Sequence, residues 1–210
     1  MFGKRRKQDS RAQQRDATDE GAPGWDAITA AFATLYPGQE PKHWGNMTKL
    51  PGDPGLDGLS AYAADGHWHF VTLGLSDLWS KTTDDPTLSG FGYEFTLRAR
   101  GESADEPPAW PLNILQRLAD AVFGGRSFGP GHTLDPGGAI TGNPASALTA
   151  ICFAEDPQLG SIPTPHGRVQ FVQVVGITAQ DLDAAKGGST NKVLARLASA
   201  NPLLVTEEPG

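Results

Sequence analysis

From Phe91 to Arg100 the chain alternates almost without a break. Phe91, Tyr93, Phe95 and Leu97 fall on one side of an extended backbone, and Glu94, Thr96 and Arg98 fall on the other. A strand of this kind needs partners for its edges and a cover for its apolar face, so the chain must build a sheet. Leu59–Ala64 and His67–Leu75 supply two candidate strands. Asp65-Gly66 between them favours the positive backbone angles of a tight hairpin turn. Leu148–Ala154 and Arg168–Val175 read as two more strands. The second is apolar on both faces near its end, which predicts a central position.

Helical spacing appears where the sheet needs its cover. Trp25, Ile28, Phe32 and Leu35 recur at helical intervals until Pro37-Gly38, and Ile114, Leu115, Leu118 and Val122 define a helix over 110–123 that Gly124-Gly125 ends. Thr178 and Asp181 have the spacing of a capping box opening a short helix, a further helix spans 190–200, and Leu203–Thr206 reads as a last strand. The segment from Gln39 to Leu59 and the Gly-rich stretch from 124 to 145 read as irregular connections. The expectation is an α+β (mixed α/β) domain: a central mixed sheet flanked by helices, with long Gly- and Pro-rich loops.

Charge and composition set the boundaries. Residues 1–22 are almost free of apolar side chains and are expected to form a disordered polar, basic tail, the ordered domain running over 23–206 and a short tail over 207–210. Six basic and four acidic side chains fall in residues 1–20, so the rest of the chain carries −9 of the −7 total. An acidic body repels nucleic-acid phosphates and favours basic partners. Cys152 is the sole cysteine, so no internal disulfide can form, which fits a reducing compartment. No run approaches the roughly 18 apolar residues of a membrane span, and Gln8–Glu20 is too polar for a signal peptide, so the expected location is cytoplasmic.

The residues do not assemble a reaction. Gly74-Leu75-Ser76-Asp77-Leu78 lacks the second glycine of a nucleophile elbow, so Ser76 reads as a turn or cap residue. Cys152 lies in an apolar run between Ile151 and Phe153 and reads as an inert buried thiol. His67 and His69 share one face of a strand, as two metal ligands would. The other histidines, His43, His132 and His166, fall in separate loops, so the pair reads as polar positions on a half-exposed strand. Glu94 and Arg98 are too far apart to pair directly and need partners on neighbouring strands. No cofactor and no metal are expected, and the chain reads as a non-enzyme. Trp44, Trp68, Trp79 and Trp110 read mostly as core anchors, with one or two left to line a partner site.

Several blocks taken in order resemble the Suppressor of fused (SUFU-like) domain family. They are Trp68-His69 followed by Gly74-Leu75-Ser76-Asp77-Leu78, the strand Ser89-Gly90-Phe91-Gly92-Tyr93-Glu94-Phe95-Thr96-Leu97-Arg98, Trp110-Pro111 leading a helix to Val122-Phe123, Glu155-Asp156-Pro157, Thr164-Pro165, and Phe171–Gly176. The resemblance spans about residues 25–206 and is similar to a single-domain bacterial member. It implies a protein-binding module, with a toxin-neutralising immunity protein as one role and a regulatory adaptor that sequesters a transcription factor as another. A metal-dependent hydrolase using His67 and His69 is the reading from a different class. The family's partner surface carries over to Glu155 and Asp156, to His132 near an acidic position of the family, and to Ala121, where the family has an aromatic. The expected partner is another protein, such as a toxin domain with a basic surface; neither nucleic acid nor a membrane is expected.

Overall fold

The computed structural model describes residues 21–45, 54–101, 103, 105–186 and 188–208. Most of the expected N-terminal tail and the end of the C-terminal tail lie outside these residues. Helix α1, Pro23–Leu35, starts with proline in its first turn, where a missing N–H costs nothing. Strands β1 (Lys42–Gly45), β2 (Gly58–Ala64), β3 (His67–Leu73) and β4 (Leu88–Arg100) follow, then α2 (Trp110–Phe123) and the two-residue β5 (Thr133–Leu134). Strands β6 (Leu148–Glu155), β7 (Ser161–Thr164) and β8 (Gly167–Thr178) precede α3 (Ala179–Ala185) and α4 (Thr190–Ala200).

The strands form one mixed sheet in the order β1-β2-β3-β4-β8-β6-β5, with β7 also paired to β8. Neighbours are antiparallel except β4 and β8, which run parallel at the centre, Leu97 opposite Val174. β8 is thus central, as its two apolar faces predict. β6 and β7 both run antiparallel to β8, Glu155 opposite Val172 and Ser161 opposite Gln170. They are one interrupted strand line, with the Asp156–Gly160 loop bulging from it.

Alternation sends successive side chains to opposite faces. One face meets α2: Phe70, Phe95, Leu97, Phe153, Val172 and Val174 pack with Ile114, Leu115, Leu118 and Val122. On the other, Ile28 and Phe32 of α1 pack on Tyr62, Val71, Leu73 and Phe171, and Leu182 of α3 joins Cys152, Val175 and Ile177. Phe32 is fully buried and stacks on Tyr62 with ring centroids 4.8 Å apart. Truncating such a side chain to alanine costs about 3–5 kcal/mol.

Helix on both faces corrects one expectation directly. His67 and His69 do not sit on a half-exposed strand; β3 is buried along its whole length because α1 covers the face that its alternation suggested was wet. Phe91 is 46% exposed although it shares the phase of Tyr93 and Phe95. Gly90 and Gly92 on either side have positive φ, and the pairing register shifts between Leu88 and Tyr93, so the strand's regular phase starts only after them. Two short strands, β1 and β5, stand where connections were expected, and β7 adds another between the two expected strands 148–154 and 168–175. Conversely, Leu203–Thr206 makes only a single parallel bridge, Ala99 to Thr206, with Leu204 turned into the left-handed region at φ 51°. Glu207 and Glu208, expected to begin the tail, are held: Glu207 by Arg100, and Glu208 through the Ala147 N–H at 3.1 Å.

Candidate functional site

Asp156 opens the loop that interrupts the β6–β7 line, and its carboxylate turns inward. Oδ2 accepts from Arg98 at 2.8 Å, from the Thr96 hydroxyl at 2.8 Å and from His69 Nε2 at 3.1 Å. Oδ1 accepts from Arg98 at 3.1 Å and from the backbone N–H groups of Gln158 and Leu159 at 3.0 Å each. Arg98, fully buried, also donates to Gln173 Oε1 at 2.5 Å and Gln158 Oε1 at 2.9 Å. Gln173 in turn donates to the carbonyls of Leu203 and Leu204. One carboxylate therefore ties β3, β4, β8 and its own loop together, and through Gln173 the C-terminal segment.

Burial by itself would raise the Asp156 carboxyl, but the hydrogen bonds from His69 and Arg98 and the Arg98 charge hold it well below the usual carboxylate range. Burial pushes His69 down to about 4, outweighing the pull of Asp156, so the ring is neutral. An ionised carboxylate only accepts, so Nε2 carries the ring proton and Nδ1 accepts from the Tyr36 hydroxyl at 3.0 Å. Both nitrogens of His69 are committed, which closes the two-histidine metal site that the sequence left open. Among the described residues no three histidine, cysteine or carboxylate side chains converge as metal ligands.

Glu94 is the second buried carboxylate. It accepts from the Thr72 hydroxyl at 2.6 Å, from the N–H groups of Gly74 and Ser76, and from the Ser76 hydroxyl at 2.7 Å. Burial raises it to about 7 against these bonds. Ser76 is thus a turn residue, as its sequence context predicts, and Glu94 organises the loop after β3. Asp77 extends the hold: its carboxylate accepts from the Gly90 N–H at 2.8 Å and the Thr82 hydroxyl at 2.6 Å. Cys152 is buried, and burial pushes its thiol up to about 11, as an inert cysteine should behave.

The four sequence-predicted contact residues separate by depth. Glu155 and His132 are exposed, Ala121 is half-buried at the end of α2, and Asp156 is 2% exposed. Glu155 and His132 lie close, because Phe153 bonds Gly131 and His132 across the strand gap at 2.8 and 3.0 Å. Phe128, in the loop from α2, stacks on Phe153 at 4.9 Å, and the Arg126 N–H closes the helix end on the Ala121 carbonyl. The end of α2, its loop and the end of β6 therefore meet at one end of the sheet. Asp156 belongs beneath that surface, where it fixes the loop following Glu155. Sequence reasoning missed Tyr36, Gln158 and Gln173, which the network joins from distant segments, and the exposure of Trp79 (57%) and Phe91. Trp68, by contrast, is a core anchor whose indole N–H donates to the Ser103 carbonyl.

Comparison with known proteins agrees with this architecture. Residues 52–207 match the family profile described as Suppressor of fused protein (SUFU). The human and mouse Suppressor of fused homologs are each 32% identical over 213 residues, 88% of this chain but only 42% of theirs, so the chain spans less than half their length. The crystal structure of a Sufu–Fu complex superposes with TM-score 0.80 at 30% identity, covering 89% of this chain and 90% of that one. Drosophila Suppressor of Fused gives 0.81 at 31% identity, over 89% of this chain and 50% of the other. A Neisseria gonorrhoeae homolog shares the fold at 14% identity and TM-score 0.62, over 90% of this chain and 97% of that one. The profile match over residues 52–207, with identity of 30% across nearly the whole of a solved Suppressor of fused chain, places this chain in the Suppressor of fused family.

Proposed function

We propose that the chain is a protein-binding module that acts by occlusion, and that it serves as a cytoplasmic immunity protein covering the basic surface of a toxin domain. The observation that carries this reading is the exposed Glu155 near His132, at the end of a strand whose next residue is anchored inside the fold. An acidic contact on a pre-organised base loses little freedom on binding, and its charge speeds encounter with a basic partner. The −9 of the body beyond the N-terminal segment acts in the same sense. Asp156 supports the contact from below, and Ala121, at the end of α2, belongs to the same proposed surface.

Co-purification from the native host, followed by mass spectrometry, tests the proposal. A toxin domain should be recovered in stoichiometric amount; a free monomer under conditions that express the neighbouring genes would overturn it. Glu155→Arg should then weaken the complex about tenfold or more, the scale of a lost close charge pair.

A second reading, a regulatory adaptor that sequesters a transcription factor, is favoured by the similarity to Suppressor of fused homologs from animals. Recovery of a DNA-binding protein in the same experiment would select it.

A further inference from the structure

A cleft of about 310 Å³ opens between the β2–β3 turn, the end of β4 and the segment following α4. His67 lines it and is only 8% exposed. The ring lies 3.0 Å through Nδ1 from the Asp65 carbonyl, so Nδ1 carries the proton and Nε2 presents a lone pair. That Nε2 is buried and has no partner among the described residues. Arg98 Nε, a donor, is likewise buried and without a partner among them. The strand register sets His67 opposite Arg100 and His69 opposite Arg98, so the two orphaned atoms belong to diagonal neighbours. An unpaired buried polar group is costly, and the unpaired Nε2 lone pair on the cleft wall calls for a group that donates to it.

The walls narrow the chemistry. Arg100 and Glu207 pair at the mouth with 58% and 42% of their side chains exposed, an arrangement held loosely enough to rearrange around a ligand. The Asn201 amide is already spent on both sides of Val205, which stiffens the wall. Asp65 and Glu207 disfavour a bare anion. Arg100 on the wall and the buried Arg98 behind it lend the cleft a positive potential that disfavours an ammonium and, after burial, helps keep His67 neutral. A neutral group with many hydroxyls meets these limits and can donate to His67 Nε2. We propose that this cleft binds a small neutral polyhydroxy ligand, a sugar of pentose to hexose size, with one hydroxyl seated on His67 Nε2.

The site is separate from Glu155 and His132, so its failure would leave the protein-binding reading untouched. The test is NMR titration of the full chain with ribose and glucose, and with glucosamine and glucose 6-phosphate as charged counterparts. The neutral sugars should shift the His67 Nε2 nitrogen resonance with Kd in the millimolar range, and both charged sugars should bind more weakly. His67→Phe should weaken binding at least tenfold. Should that variant fail to fold, Glu207→Gln at the exposed rim should still weaken binding severalfold. No His67 shift with either neutral sugar at about 50 mM, a weak-binding concentration, equal or tighter binding of a charged analogue, or unchanged affinity in the folded variants would overturn the proposal.

Discussion

Arg98 and Asp156 form a bidentate ion pair, 2.8 and 3.1 Å long, between side chains fully removed from solvent. Such a pair stabilises weakly against an apolar replacement, but removing one partner strands a buried charge. Asp156→Ala should therefore cost about 3–5 kcal/mol in urea denaturation, and Arg98→Met a similar amount. The double variant should lose clearly less than the sum. Additive losses would show that the two residues act independently.

Two fully buried groups, His69 and Glu94, oppose each other with pH. The His69 ring falls from 6.5 unfolded to about 4 folded, so its contribution is complete above pH 6.5 and is lost as pH falls towards 4. Glu94 rises from 4.5 to about 7, so its contribution is complete below pH 4.5 and is lost as pH rises towards 7. Between pH 4.5 and 6.5 the Glu94 slope offsets that of His69, while His67 and His43, whose rings burial also holds low, add a rise with pH. Below that window the Asp156 carboxylate adds to the loss. In Glu94→Gln stability should rise more steeply with pH across that window, measured by chemical denaturation at several pH values; an unchanged slope would exclude Glu94 as the opposing group.

Gly24 reverses the usual rule for a helix. Replacing an interior glycine with alanine ordinarily gains up to about 1 kcal/mol. Here an added Cβ would lie 2.0 Å from the Asp77 carbonyl, and the Gly24 N–H donates to the Leu78 carbonyl at 2.9 Å. Gly24→Ala should destabilise by about 1–3 kcal/mol, the scale of overpacking. Gly21→Ala, with no atom of the described residues within 4 Å of its added Cβ, should be close to neutral in the same thermal melt.

The buried Cys152 thiol should react with a disulfide reagent only when the chain opens. Modification rates should rise with urea in step with unfolding. Rapid modification of the folded protein would contradict the burial.

What the sequence makes legible is whatever periodicity alone decides. Strand β4 and helices α2 and α4 lie where alternation and helical spacing put them, and Thr178 and Asp181 form the capping box their spacing predicts. Strands β1 and β7 escape because Lys42-His43-Trp44-Gly45 and Ser161-Ile162-Pro163-Thr164 are too short to show a period. They are strands because β2 and β8 offer them edges. The polar face of β3 and β4 misleads for a related reason. His69, Thr96 and Arg98 resemble a wetted surface until Asp156, far along the chain, arrives to bind all three. At the contact surface the residues could be named from the family pattern, but their depth could not: neighbouring Glu155 and Asp156 differ only in which way the loop turns them.

The parallel pairing of β4 with β8 has a consequence for synthesis. Leu97 meets Val174 only after α2, the glycine-rich loop, β6 and β7 have all been made. A parallel neighbour so remote in sequence is slow to find. As the chain leaves the ribosome, the hairpin β2–β3 and then β4 can zip early, while the far edge of β4 waits unpaired with its backbone donors and acceptors bare. A nascent chain halted just before β8 is therefore the form most open to strand-to-strand association with its neighbours, and the form a chaperone would most need to shield.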